Sequence, residues 1–252
     1  MFFKKKPFVR FVNLVPGVEV VHPIIPAGKF KYKWLSELNR TNKNQNLPLH
    51  IRKGNTARCP GINDICSRGY IITAPFDFTI LTNGNRNNFE WHMSINPSMF
   101  NSAINRPYIS AHSSDQLHDF SPSREDSLNC VVKINTFWLI SSCKDLIWLQ
   151  MPIPYPDHNL FTAYQGIIDT DKYCELILQI QWHKLNGEYL VKAGTPLCQL
   201  IPIQKNLEID LIVEKITADD LYKSQAYGYL TMHRFQNSIS EWRDKAKKIL
   251  KI

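Results

Sequence analysis

The sequence predicts a mainly β protein, a barrel or sandwich with a short α-helical extension at its C-terminus. Short apolar runs separated by turn residues recur from Phe8 to Pro202, a pattern typical of a sandwich or barrel rather than of alternating β and α units. Near the C-terminus, apolar residues instead recur every three or four positions, which is the spacing of one helix face.

The first part of the chain predicts two strands, a helical segment and a loop. Phe8–Val15 and Val18–His22 are predicted strands, because each is a run of β-forming residues followed by proline. Lys33–Asn39 predicts one or two helical turns. Asn39–Asn46 is rich in Asn and Lys and predicts a polar loop.

The rest of the β core is predicted as a series of short strands. They are Gly69–Ile72, Asp77–Leu81, Phe89–Ile95, Val131–Ile134, Phe137–Ser141, Leu146–Met151, Gly166–Asp169, Cys174–Trp182, Glu188–Val191 and Leu197–Pro202. Ser110–Asn129 is polar and predicts a long loop or a surface-crossing connection. Asn186-Gly187 predicts a hairpin turn between the strands on either side of it.

A helical extension is predicted at the C-terminal end of the chain. Thr217 and Asp220 have the spacing of a capping box that begins a short helix. Beyond it, one apolar helix face is formed by Phe235, Ile239, Trp242, Ala246 and Ile249. This helix either packs that face on the β body with its lysines in water, or acts as a basic amphipathic helix for a membrane surface or a partner.

Charge is spread unevenly over three predicted regions. The net charge is +8, and residues 1–58 carry 12 Lys and Arg against 2 Asp and Glu. We expect residues 1–58 to form basic strands and a polar loop packed on a β core of residues 59–212, followed by a helical extension of residues 213–252. The basic N-terminal segment, residues 1–58, and the C-terminal helix either offer a surface for nucleic acid or are simply solvated. No nucleic-acid-binding motif accompanies them.

The chain is expected to be soluble and intracellular. No apolar run approaches the ~20 residues of a membrane helix, and Met1–Phe8 lacks the apolar stretch of a signal peptide. The six cysteines include no CxxC pair, which argues against a zinc ribbon or a thioredoxin-like motif. Because no export signal is found, we expect reduced thiols, most of them buried as small apolar side chains.

Acidic and aromatic residues at strand ends form a candidate ligand site. Asp169 and Asp171 lie two positions apart, so on a strand they point to one face, as carboxylates that share Mg²⁺ do. Alternatively, one of them caps a turn and the other is solvated. Asp77 is a further strand-end carboxylate that could line the same cleft, and Tyr164 is expected to be exposed and to stack on a ligand.

A second candidate is a metal site in the polar loop. His112-x-x-Asp115-x-x-His118-Asp119 is the densest cluster of metal-ligating residue types in the chain. On a helix, His112, Asp115 and Asp119 would share a face, and such a set suits zinc or iron. The alternative is that a Ser-rich polar loop contains His and Asp without binding metal.

Two segments resemble the last third of dUTPase and dCTP deaminase chains. They are Gly166-Ile-Ile-Asp169-Thr-Asp171-Lys-Tyr173 and Val191-Lys-Ala-Gly194-Thr-Pro-Leu-Cys-Gln199-Leu-Ile-Pro202. The resemblance implies a β-clip fold, often trimeric, and a Mg²⁺-dependent site in which Asp169 orients the attacking water and Tyr173 packs on the base. Tyr173 stands one residue later than in that family. The arginine-serine motif for phosphates is not found, and Phe235–Ile252 replaces the glycine-rich C-terminal arm.

A wider set of segments resembles a family of uncharacterised proteins of tailed bacteriophages. These segments are Val20–Pro26, Cys59–Asp64, Gly69–Ile72, Lys133–Asn135, Trp138, Gly166–Asp171 and Gly194–Pro202. The resemblance implies a viral origin, and therefore a location in the host cytoplasm or in association with the virion.

Three functional hypotheses follow. The first is a phage accessory protein without turnover, which binds a viral or host partner, or a small nucleotide-like anion, through a cleft around Asp169 and Tyr164. The second is a Mg²⁺-dependent nucleotide hydrolase or deaminase of the dUTPase type, and the third is a virion component. A homo-oligomer is compatible with all three.

Overall fold

Antiparallel sheets make up most of the structure, a computed structural model that describes residues 7–43, 59–101, 104, 106–113, 115, 125–172, 174–236, 244, 247 and 248. Strands account for 37% and helices for 22%, which confirms the mainly β prediction and the helical C-terminal extension. The strands are β1 (Val9–Asn13), β2 (Ile25–Pro26), β3 (Tyr70–Thr73), β4 (Phe78–Asn83), β5 (Glu90–Met93), β6 (Ile109–His112), β7 (Val131–Ser142), β8 (Leu146–Met151), β9 (Phe161–Ala163), β10 (Gly166–Ile168), β11 (Glu175–Trp182), β12 (Asn186–Val191) and β13 (Pro196–Gln204). The α-helices are α1 (Val18–Val21), α2 (Lys33–Lys43), α3 (Pro60–Ser67) and α4 (Ala218–Gln236).

The strands form three sheets. The first has the order β1-β7-β11-β9 with β6 also paired to β7, the second has the order β10-β8-β13-β3-β2, and the third has the order β12-β4-β5. Within the described residues none of the sheets closes on itself, so each sheet keeps free edge strands. β10 and β2 are the edges of the second sheet, and β1 is an edge of the first.

The core lies where the first and second sheets face each other. Phe11 of β1 packs edge-on against Tyr70 of β3 and Trp148 of β8, with ring centroids 5.5 and 6.4 Å apart. Alternate residues of β11 point inward: Leu176, Leu178, Ile180 and Trp182 are buried. This period of two is what a strand with one buried face requires.

The chain divides by contacts into two units, each described separately. One comprises Met1–Phe30 and Arg68–Leu207, within which lie all three sheets, and the other comprises Lys31–Ser67 and Glu208–Ile252. In the second unit, Thr217 and Asp220 form the predicted capping box, because Asp220 N donates to Thr217 Oγ1 and Thr217 N donates to Asp220 Oδ2. Helix α4 then begins at Ala218.

Two local predictions near the N-terminus are wrong. Val18–His22 was expected to be a strand, but Val18–Val21 form the helical turn α1. Gly17 precedes it with φ 92°, and its N–H donates to Glu19 Oε2 at 2.9 Å, so the turn chemistry overrides the β preference of valine. Helix α2 continues to Lys43, so much of the loop predicted over Asn39–Asn46 is helical, and residues 44–46 lie outside the described residues.

Three predictions in the β core also need correction. Val131–Ile134 and Phe137–Ser141 form one strand, β7, with a register shift opposite Glu175 and Ile177 and a positive φ of 57° at Phe137. The stretch predicted as a loop from Ser110 begins as strand β6. Asn186-Gly187 is not a hairpin turn, because it begins β12, which pairs with β4 instead of β11.

All six cysteines are free thiols, and Cys66, Cys130 and Cys198 are buried. Cys174 is exposed, unlike the buried thiols that the sequence led us to expect for most of the set. None of the helices within the described residues combines the length and the apolar composition that crossing a membrane requires.

Candidate functional site

The predicted pair of carboxylates is brought together around one lysine. Lys205 Nζ lies 3.1 and 2.9 Å from Oδ1 and Oδ2 of Asp169, and 3.1 Å from Oδ2 of Asp171. Lys172 Nζ lies 3.6 Å from Asp169 Oδ2. Two carboxylates and two ammonium groups therefore form a cluster whose formal charge is zero.

Local turn chemistry places the two aspartates. Strand β10 ends at Ile168, and Asp171 N then donates to Asp169 Oδ1 at 3.2 Å while Lys172 N donates to Asp169 O at 2.9 Å. This is an Asx-type turn, which aspartate favours because its side chain can accept from the backbone two residues on. The turn is also tied to β7, since the hydroxyl oxygens of Thr170 and Ser142 lie 2.8 Å apart.

The lysine comes from a segment that is distant in sequence from the two aspartates. Lys205 follows directly after β13, and its N–H donates to the carbonyl of Asp145 at 2.8 Å, which holds this residue in place. The hydrogen bond from Lys205 lowers the pKa of the Asp169 carboxyl below its ordinary value. The hydrogen bond to Asp169, and after it the hydrogen bond to Asp171, raises the pKa of Lys205 above its ordinary value.

This arrangement leaves little for a divalent cation to bind. Paired carboxylates hold Mg²⁺ by placing their oxygens around the ion, and here the Lys205 ammonium occupies the position between Asp169 and Asp171. A cation would have to displace Lys205 first. The geometry is therefore that of an ion-paired clasp joining the β10 turn to the end of β13.

The structure separates Tyr164 from the two carboxylates. Tyr164 precedes β10 and Asp169 follows it, so the two lie at opposite ends of that strand, about 16 Å apart at the usual rise per residue. Tyr164 is half-buried, and its carbonyl accepts from Gln150 Nε2 at 3.0 Å. Tyr173 lies outside the described residues.

Asp77 is likewise remote from Asp169. Its Oδ1 accepts from Ala193 N at 2.6 Å, and Ala193 precedes β13, whereas Lys205 follows β13. The two carboxylates therefore lie at opposite ends of a nine-residue strand. They do not line one cleft.

Asp77 instead lies in a cleft of its own, with a volume of about 370 Å³. The cleft is formed by the connections β1–α1, β3–β4 and β12–β13 and by the chain after β5. Its apolar lining is Val15, Val18, Val21, Phe76, Ile95 and Phe100, and its polar groups are Asp77, His22 and Ser94. Val21, Ile95 and Phe100 are 68, 42 and 53% exposed, which is high for apolar side chains that share one concavity.

Two polar groups flank one turn at the rim of this cleft. The Oδ1 atom of Asp77 holds Ala193, and a Cβ atom placed on Gly194, the next residue, would lie 3.4 Å from His22 Nδ1. Gly194 has φ 82°, so glycine both permits the turn and leaves room for the imidazole. Asp77 is exposed, and within the described residues its Oδ2 atom makes no hydrogen bond.

The predicted metal site is not assembled by the described residues. His112 ends strand β6 opposite Val131, and Asp115 is exposed, with its pKa lowered by a hydrogen bond from Ser113. His118 and Asp119 lie outside the described residues. Across the described part of the chain, no three His, Cys, Asp or Glu side chains are grouped as a metal site.

A hydrogen-bonded group around His183 was not predicted from the sequence. His183 Nδ1 lies 2.8 Å from Ser127 Oγ and His183 Nε2 lies 2.7 Å from Thr162 Oγ1, while Ser127 Oγ donates to Asp126 Oδ1 at 3.3 Å. Ser127 is fully buried and Thr162 is exposed. The three segments are 21 or more residues apart, so no spacing rule could have grouped them.

Comparison of the chain with protein-family models, with curated proteins and with solved structures found no match.

Proposed function

We propose that this protein acts by binding a partner without turnover, and that the Asp77 cleft is its binding site. The observation that carries the proposal is the combination of an exposed apolar concavity with one exposed carboxylate, Asp77, in its lining. Binding sites are characteristically concave and apolar, with a few polar groups that orient the ligand.

The chemistry of the cleft favours an apolar group next to a positive charge. Val21, Ile95 and Phe100 gain by being covered, since apolar surface removed from water contributes about 25 cal/mol per Å². The open Oδ2 atom of Asp77 adds an ion pair with a lysine, an arginine or an amine. A peptide that presents an aliphatic or aromatic side chain beside a basic one fits both requirements.

The Asp169 cluster supports the alternatives less well. A nucleotide-like anion would meet two carboxylates there, and the ammonium of Lys205 is already shared between them. A Mg²⁺-dependent hydrolase or deaminase needs those carboxylates free for the cation and the water. The phage-type accessory role, the virion role and the host cytoplasm as location remain predictions from sequence, and the cleft would serve either role.

The proposal is tested with three probes that share a chain length and differ in charge. These are n-hexylammonium, 1-hexanol and hexanoate, titrated while the methyl signals of Val18, Val21 and Ile95 are followed by NMR. We expect the affinity to fall in that order, with hexylammonium binding about three- to tenfold more tightly than hexanol because of Asp77.

Two variants make the test specific. Asp77→Asn should abolish the preference for hexylammonium over hexanol, whereas Asp145→Asn, which removes an exposed carboxylate away from the cleft, should leave it unchanged. Equal binding of all three probes, or an unchanged preference in Asp77→Asn, would contradict the proposed site.

A further inference from the structure

The segment from Leu207 to Ile216, which we call the arm, has the pattern of a strand but no strand partner among the described residues. Every residue of the arm is exposed, and its six aliphatic side chains are exposed to between 58 and 89%. No hydrogen bond joins the arm to another described residue. Exposed apolar surface on this scale is unusual and marks an interaction site.

The arm alternates between apolar and acidic residues. Leu207, Ile209, Leu211 and Val213 fall on one face of an extended chain. Glu208, Asp210 and Glu214 fall on the other, which also includes Ile212 and Ile216, while Lys215 follows Val213 on the first face. A period of two is the signature of a strand with one buried and one solvated face. The arm thus carries the pattern for pairing at a sheet edge.

The free edge of β1 is complementary to the arm in apolar character on one face and in charge on the other. β1 pairs with β7 on one side and with no described strand on the other. Val9 and Phe11 of β1 pack on the core, so the apolar face of an added strand would extend that layer. Arg10 points to the opposite, exposed face, where it would meet the acidic residues of the arm.

Three other sheet edges match less well. The β10 edge is followed by Asp169 and Asp171, and the β12 and β5 edges carry Glu188 and Glu90, so each would place acidic residues near the acidic face of the arm. Like charges opposite each other destabilise a strand pair, whereas opposite charges stabilise it. Charge therefore selects β1 among these edges.

We propose that the arm of one copy adds as a strand to the β1 edge of a second copy, and that two copies exchange arms reciprocally. The four side chains of the apolar face represent roughly 400 Å² per arm, and with the matching receiving surface two exchanged arms would bury roughly 1,600 Å². That is the size of a stable dimer interface. Backbone hydrogen bonds along the new pair would satisfy the unpaired groups of both edges.

The test is the molar mass of the full chain, measured by sedimentation over a concentration series. We expect a dimer for the wild type. Leu211→Asp should raise the dimer dissociation constant by more than about tenfold, because this residue lies at the centre of the buried face. Ile212→Asp is the matched control. It changes the neighbouring residue, which is also exposed but lies on the opposite face, and should leave the dimer intact.

Exchanging the charges of Arg10 and Asp210 tests whether β1 is the edge that receives the arm. Arg10→Glu should weaken the dimer, and combining it with Asp210→Arg should restore it toward the wild-type dissociation constant. The proposal is overturned by a monomeric wild type, by a dimer that Leu211→Asp leaves unchanged, or by equal losses in Leu211→Asp and Ile212→Asp. Failure of the charge pair to restore the dimer would overturn β1 as the acceptor. Unfolding does not confuse the result, because both aspartates are introduced at exposed positions, and the melting temperature of each variant checks this.

Discussion

The ammonium of Lys205 lies 3.1 and 2.9 Å from the two oxygens of Asp169, so one lysine contacts both oxygens of a single carboxylate. This contact joins the turn after β10 to the end of β13, the central strand of its sheet. Because Asp171 accepts from the same Nζ atom, the clasp satisfies both acidic residues of the turn.

The clasp makes stability depend on pH at the acidic end. The pKa of Asp169 is lowered in the folded state, so its contribution is complete above the ordinary value of 3.8 and is lost as pH falls through the folded pKa. We expect the melting temperature to decrease between about pH 5 and 2, and Lys205→Met to flatten that decrease. Thermal unfolding followed by circular dichroism at a series of pH values measures the slope.

Lys223→Met is the matched control for this prediction. It removes a lysine that pairs with Asp219 on the surface of α4, so the acid slope should change much less than in Lys205→Met. An acid slope that is the same in all three proteins would contradict the role of the clasp.

The same residues allow a test of the dUTPase-type hypothesis. Because Lys205 occupies the space between the carboxylates, we expect neither stabilisation nor phosphate release when the protein is mixed with nucleoside triphosphates and Mg²⁺. Asp169→Asn should behave in the same way as the wild type in this screen. Turnover or nucleotide-specific stabilisation that Asp169→Asn abolishes would instead favour the dUTPase-type alternative.

Gly69 is expected to tolerate no side chain. It has φ 74°, and a Cβ atom there would overlap the carbonyl oxygen of Leu200 on β13. Gly69→Ala should therefore lower the free energy of unfolding by about 2–4 kcal/mol, from backbone strain and from displacement of a neighbouring strand. Equilibrium unfolding in urea measures the change.

Gly61→Ala is the control for the glycine prediction. Gly61 lies within α3 and nothing would approach its added Cβ within 4 Å, so alanine should stabilise that helix by about 0.5–1 kcal/mol. Similar changes in the free energy of unfolding for the two substitutions would show that the close approach of β13 to Gly69 does not affect stability.

Two buried tryptophans should respond differently to the same substitution. Trp148 Nε1 donates to Ser142 Oγ at 3.2 Å, whereas Trp182 Nε1 is buried and has no hydrogen-bond partner among the described residues. Both side chains are almost completely buried, so replacement by Phe removes a similar volume. We expect Trp148→Phe to cost about 1 kcal/mol more than Trp182→Phe, since it also breaks a hydrogen bond.

Urea unfolding of the two tryptophan variants at one pH compares them directly. A larger loss in Trp182→Phe would mean that stacking on Phe161, at a centroid distance of 6.2 Å, outweighs the hydrogen bond of Trp148.

Much of the local structure was predictable from sequence because it is encoded by neighbouring residues. Short apolar runs bounded by turn residues identified β11 and β13, and the capping box marked the start of α4. The exceptions have local causes as well. Gly17 and Glu19 turned Val18–Val21 into a helix, and the bulge at Phe137 divided the apolar pattern of a single strand.

The candidate sites were less predictable because their residues are distant in the chain. Asp169 and Asp171 were expected to lie together and do so, but their partner Lys205 is separated from Asp169 by 36 positions. The Asp77 cleft unites four connections, and neither Phe100 nor His22 carries a sequence signal for it.

The sequence by itself determined the mainly β class, the turn that presents Asp169 and the helical end of the chain, since periodicity and turn chemistry act over a few residues. Strand pairing decided the rest. It placed Lys205 beside the carboxylates, placed Asp77 at the opposite end of β13 and left the β1 edge without a partner strand among the described residues. These relationships depend on which distant segments pack together, and packing is a property of the whole chain that no local pattern contains.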